Sequence, residues 1–159
     1  AWNRATDPAL EARFQRVKAK LNGFVQEPRQ VLNLYPESSR AVPARYARAY
    51  AWHRSAHPDR ALEEVEALLA GAPEDPFFLE LKGQILLESG RPREALQSLR
   101  AAAAQAPDQP LIAALLGHAL IATEDPANFA EAERVLRSAI GKDNQNPFAW
   151  YQLGIVYDR

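Results

Sequence analysis

Apolar residues recur in this chain at the spacing of amphipathic helices, and prolines and glycines separate the apolar stretches. Each stretch has a period close to that of an α-helix, and no segment alternates apolar and polar residues as a strand does. Gly71, Gly90 and Gly141 stand where helices are expected to end in the left-handed conformation, and Pro92 fits the first turn of the next helix. The pattern therefore predicts an all-α fold.

The second part of the chain repeats a pattern of small and large residues. Gly83, Gly117 and Gly154 recur at nearly equal intervals, and the second interval is slightly longer than the first. Small residues let two antiparallel helices approach closely, and large residues fill the space between successive pairs. The pattern predicts a row of antiparallel helix pairs. After Gly83 it continues with Leu86, Gly90, Ala95, Leu99, Ala102 and Pro107.

Prolines set the limits of these repeats. Ala61, Ala95 and Ala132 each stand at one fixed distance before a proline that opens the next unit. The sequence therefore predicts an array over residues 42–159. The third repeat is slightly longer than the second, and we place the extra residues in the turn between its helices. The predicted repeats cover residues 42–75, 76–109 and 110–146, with a half repeat at 147–159.

The end of the chain carries the most specific motif. Residues 150–157 read W-x2-L-G-x2-Y, which resembles the opening of a tetratricopeptide repeat (TPR). The resemblance implies a TPR-type α-α superhelix, in which each repeat is one antiparallel helix pair. The repeat at 42–75 departs most from the family pattern, because Ala49 occupies its glycine position. The first helix of a repeat needs a second helix to cover it, so we expect the chain to be part of a longer protein.

Residues 1–41 precede the repeats and form a predicted N-terminal helical extension. A helix start at Asp7 and Pro8 is followed by an apolar stripe of Leu10, Phe14, Val17, Leu21 and Phe24. Pro28 ends this helix, and a short second helix is expected before Tyr35. The stripe can cap the first repeat or lie on a membrane, and a cap explains its apolar positions more simply. We therefore do not expect membrane contact.

Composition narrows the classes of protein. With 159 residues and 47% hydrophobic residues the chain can bury a core, and no apolar run approaches the length of a bilayer-spanning helix. The chain has no Cys, which excludes disulfides and cysteine-based metal sites. A net charge of -1 argues against nucleic-acid binding. Residues 1–60 carry 11 Lys and Arg against 5 Asp and Glu, whereas residues 61–159 carry 8 against 15. This asymmetry fits either a charged seam against another domain or ordinary solvated helix faces.

One pair of histidines resembles a metal site. His53 and His57 have the spacing of the two zinc ligands in an H-E-x-x-H motif, but Arg54 occupies the position of the catalytic Glu. Pro58 disfavours helical geometry at His57, so the two rings are not expected to share a helix face. No other nucleophile, phosphate loop or metal-ligand cluster emerges from the sequence. We therefore expect no catalytic residue, no metal site and no cofactor in these residues.

A binding face is the alternative to a catalytic site. In TPR arrays the first helices of successive pairs line a concave groove, and the repeat frame projects a mixed aromatic and polar set into it. The set is Tyr46, Tyr50, His53, Glu80, Gln84, His118 and Tyr151. Tyrosine offers a rigid apolar face with a polar tip, which suits a bound peptide or protein. The tyrosines can equally pack against a neighbouring domain or the N-terminal helix.

A second resemblance is carried by three segments. They are Gln15–Pro36 (QRVKAKLNGFVQEPRQVLNLYP), Pro43–Arg54 (PARYARAYAWHR) and Phe78–Leu96 (FLELKGQILLESGRPREAL). They are similar to the C-terminal region of bacterial TPR-containing zinc metalloproteases. The resemblance implies a periplasmic location, a preceding zinc-binding catalytic domain, and a role in protein quality control. No catalytic residue of that family matches a position in this chain.

Two functions follow from these expectations. The first is a peptide- or protein-binding module that recognises substrates or partners for a zinc metalloprotease domain of the same protein. The second is a free-standing TPR adaptor or assembly factor without a protease domain. The sequence that precedes Ala1 in the gene distinguishes the two, because fold alone does not identify function.

Overall fold

The structure is a computed structural model that describes residues 8, 9, 11, 12, 14–16 and 28–159. All regular secondary structure in this part of the chain is helical, which confirms the prediction of an all-α fold. Four residues of the predicted apolar stripe, Leu10, Val17, Leu21 and Phe24, lie outside the described residues.

Eight α-helices lie between residues 28 and 158. They are α1 (Pro28–Leu34), α2 (Val42–Arg54), α3 (Pro58–Gly71), α4 (Pro76–Glu88), α5 (Pro92–Gln105), α6 (Pro110–Ala122), α7 (Phe129–Lys142) and α8 (Pro147–Asp158). A short 3-10 helix, Pro126–Asn128, fills the longer turn before α7. Most of these helices begin at a proline, whose fixed φ and missing N–H suit the first turn. Asp75 and Asn146 add side-chain caps: Asp75 accepts hydrogen bonds from Phe77 N and Phe78 N, and Asn146 from Ala149 N.

The chain divides into two compact units, residues 1–73 (unit 1) and residues 74–159 (unit 2). In unit 1, α2 packs against α3, and α1 packs against α2. Its core includes Phe14, Val31, Ala47 and Val65, all almost fully buried. The predicted boundary between an extension and a repeat array stays a prediction.

An ionic cluster also stabilises unit 1. The Arg48 side chain is 1% exposed, and its Nε and Nη2 donate to the two carboxylate oxygens of Glu64 at 2.6 and 3.0 Å. Its Nη1 donates to the carbonyl oxygen of Pro36 at 2.8 Å. Arg45 adds a third hydrogen bond to Glu64 at 3.1 Å. A buried arginine therefore joins α2, α3 and the segment before α2.

In unit 2, α4 pairs with α5 and α6 pairs with α7, while α8 packs against α7 and α6. Close contacts between glycine and leucine hold both pairs together. A Cβ added at Gly83 would lie 2.4 Å from Leu99 Cγ, and one added at Gly117 would lie 2.5 Å from Leu136 Cγ. Only glycine permits these contacts, so the small and large positions of the sequence pattern meet in the structure.

The predicted left-handed helix ends are correct at one glycine only. Gly90 has a φ of 74°, but Gly71 and Gly141 lie within α3 and α7 and have no positive φ. The second helices of the pairs are followed instead by residues with a strongly negative φ, such as Ala72 with a φ of -146°. The other left-handed residues described are Ala56 and Glu124, with φ of 60° and 54°. Like Gly90 they follow a first helix, and the three recur at equal intervals along the chain.

No helix in the described part of the chain has the length and apolar character needed to cross a membrane.

Candidate functional site

The first helices of unit 2, α4, α6 and α8, present equivalent residues along one stripe. A large apolar residue follows the proline that opens each helix: Phe77, Leu111 and Phe148. Residues one and two turns further on lie on the same stripe, because a helix turns once in about 3.6 residues. The resulting surface, which we call the first-helix face, comprises Phe77, Glu80, Gln84, Glu88, Leu111, His118, Phe148, Tyr151 and Ile155.

His118 lies on α6, the middle helix of the first-helix face. Its imidazole is half-buried, and its ring centroid lies 5.5 Å from that of Phe148 at an interplanar angle of 72°. Burial lowers the pKa of His118 below its ordinary value, and the negative charge of Glu88 only partly offsets that effect. His118 is therefore neutral at pH 7, with one nitrogen donating and the other accepting hydrogen bonds.

Polar groups from α4 flank this histidine. The Gln84 side chain stands one repeat before His118 and donates from Nε2 to Glu88 Oε1 at 2.9 Å. Glu80 is partly exposed one turn earlier on the same helix. The face thus combines an amide, an imidazole and carboxylates, which can bind peptide backbone groups and polar side chains.

Exposed apolar groups accompany the polar ones. Leu111 is 53% exposed and Tyr151 is 68% exposed, although both belong to helices with a buried side. Single exposed apolar residues are common, but these two share one stripe with Phe148 and Ile155, which are both partly exposed. Leu111 and Phe148 are absent from the set predicted from sequence. The recurrence of a large apolar residue after each opening proline could have identified them.

The predicted site residues fall into both units. Glu80, Gln84, His118 and Tyr151 lie in unit 2, on the first-helix face. Tyr46, Tyr50 and His53 lie on α2 in unit 1. A single binding face that includes all seven residues stays a prediction.

In unit 1 the three predicted residues differ in exposure. Tyr46 is 8% exposed, and the ring of Phe14 meets it edge-on with centroids 4.7 Å apart. Tyr46 therefore presents little surface to a ligand and packs against Phe14 of the N-terminal extension, one of the two roles that the sequence left open for these tyrosines. Tyr50 and His53 are partly exposed.

One of the two paired histidines of unit 1, His57, packs against a neighbouring aromatic ring. His57 stands at the start of α3, where its ring meets Trp52 with centroids 5.4 Å apart. Among the described residues no three His, Cys, Asp or Glu side chains are grouped so that they could hold a metal ion.

A polar cleft of about 410 Å³ lies beside Trp52 in unit 1. It is lined by Trp52 and by three arginines and three glutamates. Several of these charges already neutralise one another: Arg60 lies 4.6 Å from the Trp52 ring and pairs with Glu37 at 3.2 Å, and Arg45 pairs with Glu64 at 3.1 Å. The cleft is therefore explained as a network of ion pairs, of which Arg60–Glu37 is exposed and Arg45–Glu64 is partly buried.

Known proteins identify the fold. A family model described as a tetratricopeptide repeat matches residues 86–128. MamA from Desulfovibrio magneticus RS-1 (residues 41 to end) is 20% identical, with a TM-score of 0.75, covering 92% of this chain and 85% of that chain. PilF from Pseudomonas aeruginosa is 22% identical, with a TM-score of 0.71, covering 96% of this chain and 69% of that chain.

A third similar structure contains a ligand. The second TPR domain of human RPAP3, in complex with the HSP70 peptide SGPTIEEVD, is 15% identical with a TM-score of 0.66. The match covers 72% of this chain and 93% of that chain. No curated protein matches the chain. The chain therefore has a TPR-type fold, and residues 86–128 match the repeat family itself.

Proposed function

We propose that this TPR domain binds an extended peptide segment of a partner protein along the first-helix face of unit 2. The observation that carries the proposal is the stripe on which exposed Leu111 and Tyr151 accompany the half-buried, neutral His118. The peptide complex of the RPAP3 domain supports it, because a similar fold binds a peptide in that structure.

The chemistry of the face suits an extended chain. Leu111 and Tyr151 would bury apolar and aromatic surface against side chains of the peptide, and such anchors dominate binding energy at interfaces. His118 and the Gln84 amide would exchange hydrogen bonds with backbone N–H and C=O groups, which an extended peptide leaves unpaired. Half-buried His118 is preorganised by its contact with Phe148, which reduces the entropy lost on binding.

Selection from a random nonapeptide library displayed on phage tests the proposal. We expect selected peptides to lose at least about tenfold in affinity, roughly 1.4 kcal/mol, when Leu111 and Tyr151 are both replaced by Ala. The melting temperature should change little, because both side chains are mostly exposed. Gln97→Ala, an exposed position on α5, is the matched control and should leave affinity unchanged. Equal affinity for the double variant and the original protein would exclude the first-helix face as the site.

The finer form of the proposal concerns the whole protein. We propose that the domain recognises substrates or partners for a zinc metalloprotease domain of the same polypeptide, in periplasmic quality control, with the zinc ion in that other domain. The resemblance of Gln15–Pro36 and the two later segments supports it. The alternative is a free-standing TPR adaptor or assembly factor. Reading the gene upstream of Ala1 decides between them, since the first requires a secretion signal and an H-E-x-x-H motif and the second has no protease domain.

A further inference from the structure

One position of the repeat is covered in the first two helix pairs of unit 2 and open on α8. Leu99 lies against buried Gly83 of α4, and Leu136 lies against buried Gly117 of α6. Gly154 of α8 has the same repeat position but is exposed, and a Cβ added there would have no neighbour within 4 Å. Gly154 therefore lacks a contact that unit 2 forms at both equivalent glycines.

The position three residues after the glycine shows the same contrast. Leu86 of α4 and Leu120 of α6 are buried, whereas Tyr157 of α8 is exposed. Trp150 is also exposed and lies one turn before Gly154 on the same side of α8. We call Trp150, Gly154 and Tyr157 the Gly154 surface. It lies about a third of a turn around α8 from the residues that this helix contributes to the first-helix face.

Both aromatic rings of the Gly154 surface are held in place by the chain itself. Trp150 Nε1 donates a hydrogen bond to the carbonyl oxygen of Asn144 at 3.0 Å. The Tyr157 hydroxyl accepts from Arg137 Nη2 at 2.6 Å and donates to Glu133 Oε1 at 3.1 Å. The polar tips of the rings are thus satisfied, and open space remains above the glycine between them. Such a preformed surface can accept a branched apolar side chain with little loss of entropy.

The second helices of unit 2 show which kind of helix fits this surface. Helices α5 and α7 share the pattern E-A-x3-L-x2-A, at residues 94–102 and 131–139. The leucine of the pattern is the residue that lies against the glycine, and both alanines of each helix are fully buried. Alanines about one turn to either side of the leucine let the two helices approach closely.

An ion pair between the two second helices accounts for the glutamate of the pattern. Arg100 of α5 donates from Nε and Nη2 to the carboxylate of Glu131 on α7, at 3.2 and 2.7 Å. Arg137 is the equivalent of Arg100, because each directly follows the leucine of its own helix. Within the described part of the chain, the polar contacts of exposed Arg137 all use Nη2. Its Nε and Nη1 can therefore pair with a glutamate of a further helix.

We propose that the Gly154 surface docks an amphipathic helix of a partner protein, and that this helix carries the pattern E-A-x3-L-x2-A. Its leucine lies against Gly154 between the rings of Trp150 and Tyr157, and its glutamate pairs with Arg137. The interface repeats the α4–α5 and α6–α7 pairings, with the second helix supplied by another polypeptide. The site is separate from the first-helix face and does not depend on peptide binding there.

A helical peptide titrated against the full chain by fluorescence anisotropy tests the proposal. The labelled peptide has the α7 sequence FAEAERVLRSAIGK, and a lactam bridge between positions 134 and 138, both exposed on α7, holds it helical. We expect saturable binding that weakens at least about tenfold when the peptide carries Leu136→Ala. Gly154→Ala in the chain should weaken it as much, because the added methyl group takes the space of the leucine. Gly71→Ala is the matched control, since Gly71 is also a helical glycine with no neighbour within 4 Å of an added Cβ.

A double-mutant cycle tests the ion pair. The peptide with Glu131→Gln should bind the original chain severalfold more weakly than the peptide with glutamate. The two peptides should bind equally to a chain that carries Arg137→Gln, because the partner of the glutamate is then absent. An unchanged preference for glutamate in that variant would contradict the proposed orientation of the helix.

Absence of peptide binding, or equal binding by Gly154→Ala and the original chain, would overturn the proposal. Two other occupants give distinct results. If sedimentation equilibrium finds a dimer of this chain that Gly154→Ala dissociates, a second copy covers the surface. If the product of the complete gene fails to bind the peptide while the 159-residue chain binds it, a helix of the same polypeptide covers the surface. Either result would overturn the assignment to a partner protein.

Discussion

Tyr46 in unit 1 and Tyr151 in unit 2 occupy the same position of the repeat, yet their environments are opposite. Tyr46 is 8% exposed beneath the ring of Phe14, whereas Tyr151 is 68% exposed. Repeat position decides which way a side chain points, but the neighbouring segment decides whether a ligand can reach it. This difference is why the site is assigned to unit 2.

The two units also fill one core position in different ways. In unit 1, α2 and α3 contribute buried Arg48 and partly buried Glu64, which form an ion pair. At the equivalent positions of the third helix pair stand Leu116 and Val135, both buried and apolar. The same two positions of the repeat therefore accommodate either a hydrogen-bonded ion pair or two apolar side chains.

Breaking the Arg48–Glu64 ion pair should lower the unfolding free energy more than any of the other substitutions. Glu64→Val leaves the guanidinium of Arg48 buried without its carboxylate partner, which costs about 3 to 5 kcal/mol of unfolding free energy. Urea denaturation followed by far-UV circular dichroism measures the loss.

The double variant Arg48→Leu and Glu64→Val is the matched control, because it reproduces the apolar pair of the third repeat. We expect it to recover most of the stability, since two apolar residues of suitable volume often replace a buried ion pair without loss. A double variant as unstable as Glu64→Val would show that the two repeats are not interchangeable at this position.

The glycine contacts of unit 2 should give the next largest effect. Gly117→Ala forces a Cβ toward Leu136 and should cost about 1 to 3 kcal/mol. Unit 1 has Ala49, fully buried, at the same repeat position, so its helices already accommodate a methyl group. Chemical denaturation of Gly117→Ala and of the equivalent Gly154→Ala tests this. Gly154 has no neighbour within 4 Å of an added Cβ, so its variant should gain up to about 1 kcal/mol from helix propensity. Equal losses in both would contradict the contact.

Replacing a left-handed residue by glycine should have a smaller effect, and it should raise the stability of both units. Ala56→Gly in unit 1 and Glu124→Gly in unit 2 should each raise the unfolding free energy by about 0.5 to 1 kcal/mol, because glycine adopts a positive φ without strain. Thermal melting detects the increase. Ala104→Gly, at an exposed site within α5, should lower stability and serves as the control.

The smallest expected effect is the pH dependence contributed by His118. Burial lowers the pKa of His118 in the folded protein, so below about pH 6.5 the unfolded chain binds the proton first. This contribution to stability is therefore complete above about pH 6.5 and declines as the pH falls toward the folded pKa. Urea midpoints of the original protein and His118→Gln across this range test the effect. A variant with an unchanged slope would show that His118 does not contribute.

The sequence predicted the all-α fold correctly, but it predicted only part of the surface that a ligand can reach. Proline and glycine spacing identified Gly83 and Gly117 because close helix packing leaves no room for a side chain at those positions. The left-handed Ala56 and Glu124 were missed, since nothing in their side chains marks that conformation. The burial of Tyr46 could not be predicted, because it depends on contact with Phe14, which is distant in the sequence. Ion pairs such as Arg48–Glu64 are equally non-local.

The open surroundings of Gly154 have a dynamic consequence. Leu99 and Leu136 lie against the equivalent glycines of the two preceding helix pairs, but a Cβ added at Gly154 would have no neighbour within 4 Å. Trp150 and Tyr157 on the same helix are 53% and 58% exposed. Helix α8 thus lacks the leucine contact that α4 and α6 have at their glycine positions, and its amide protons should exchange with solvent faster than those of α4 and α6. Because α8 also carries Phe148 and Tyr151, a peptide bound to the first-helix face should slow that exchange.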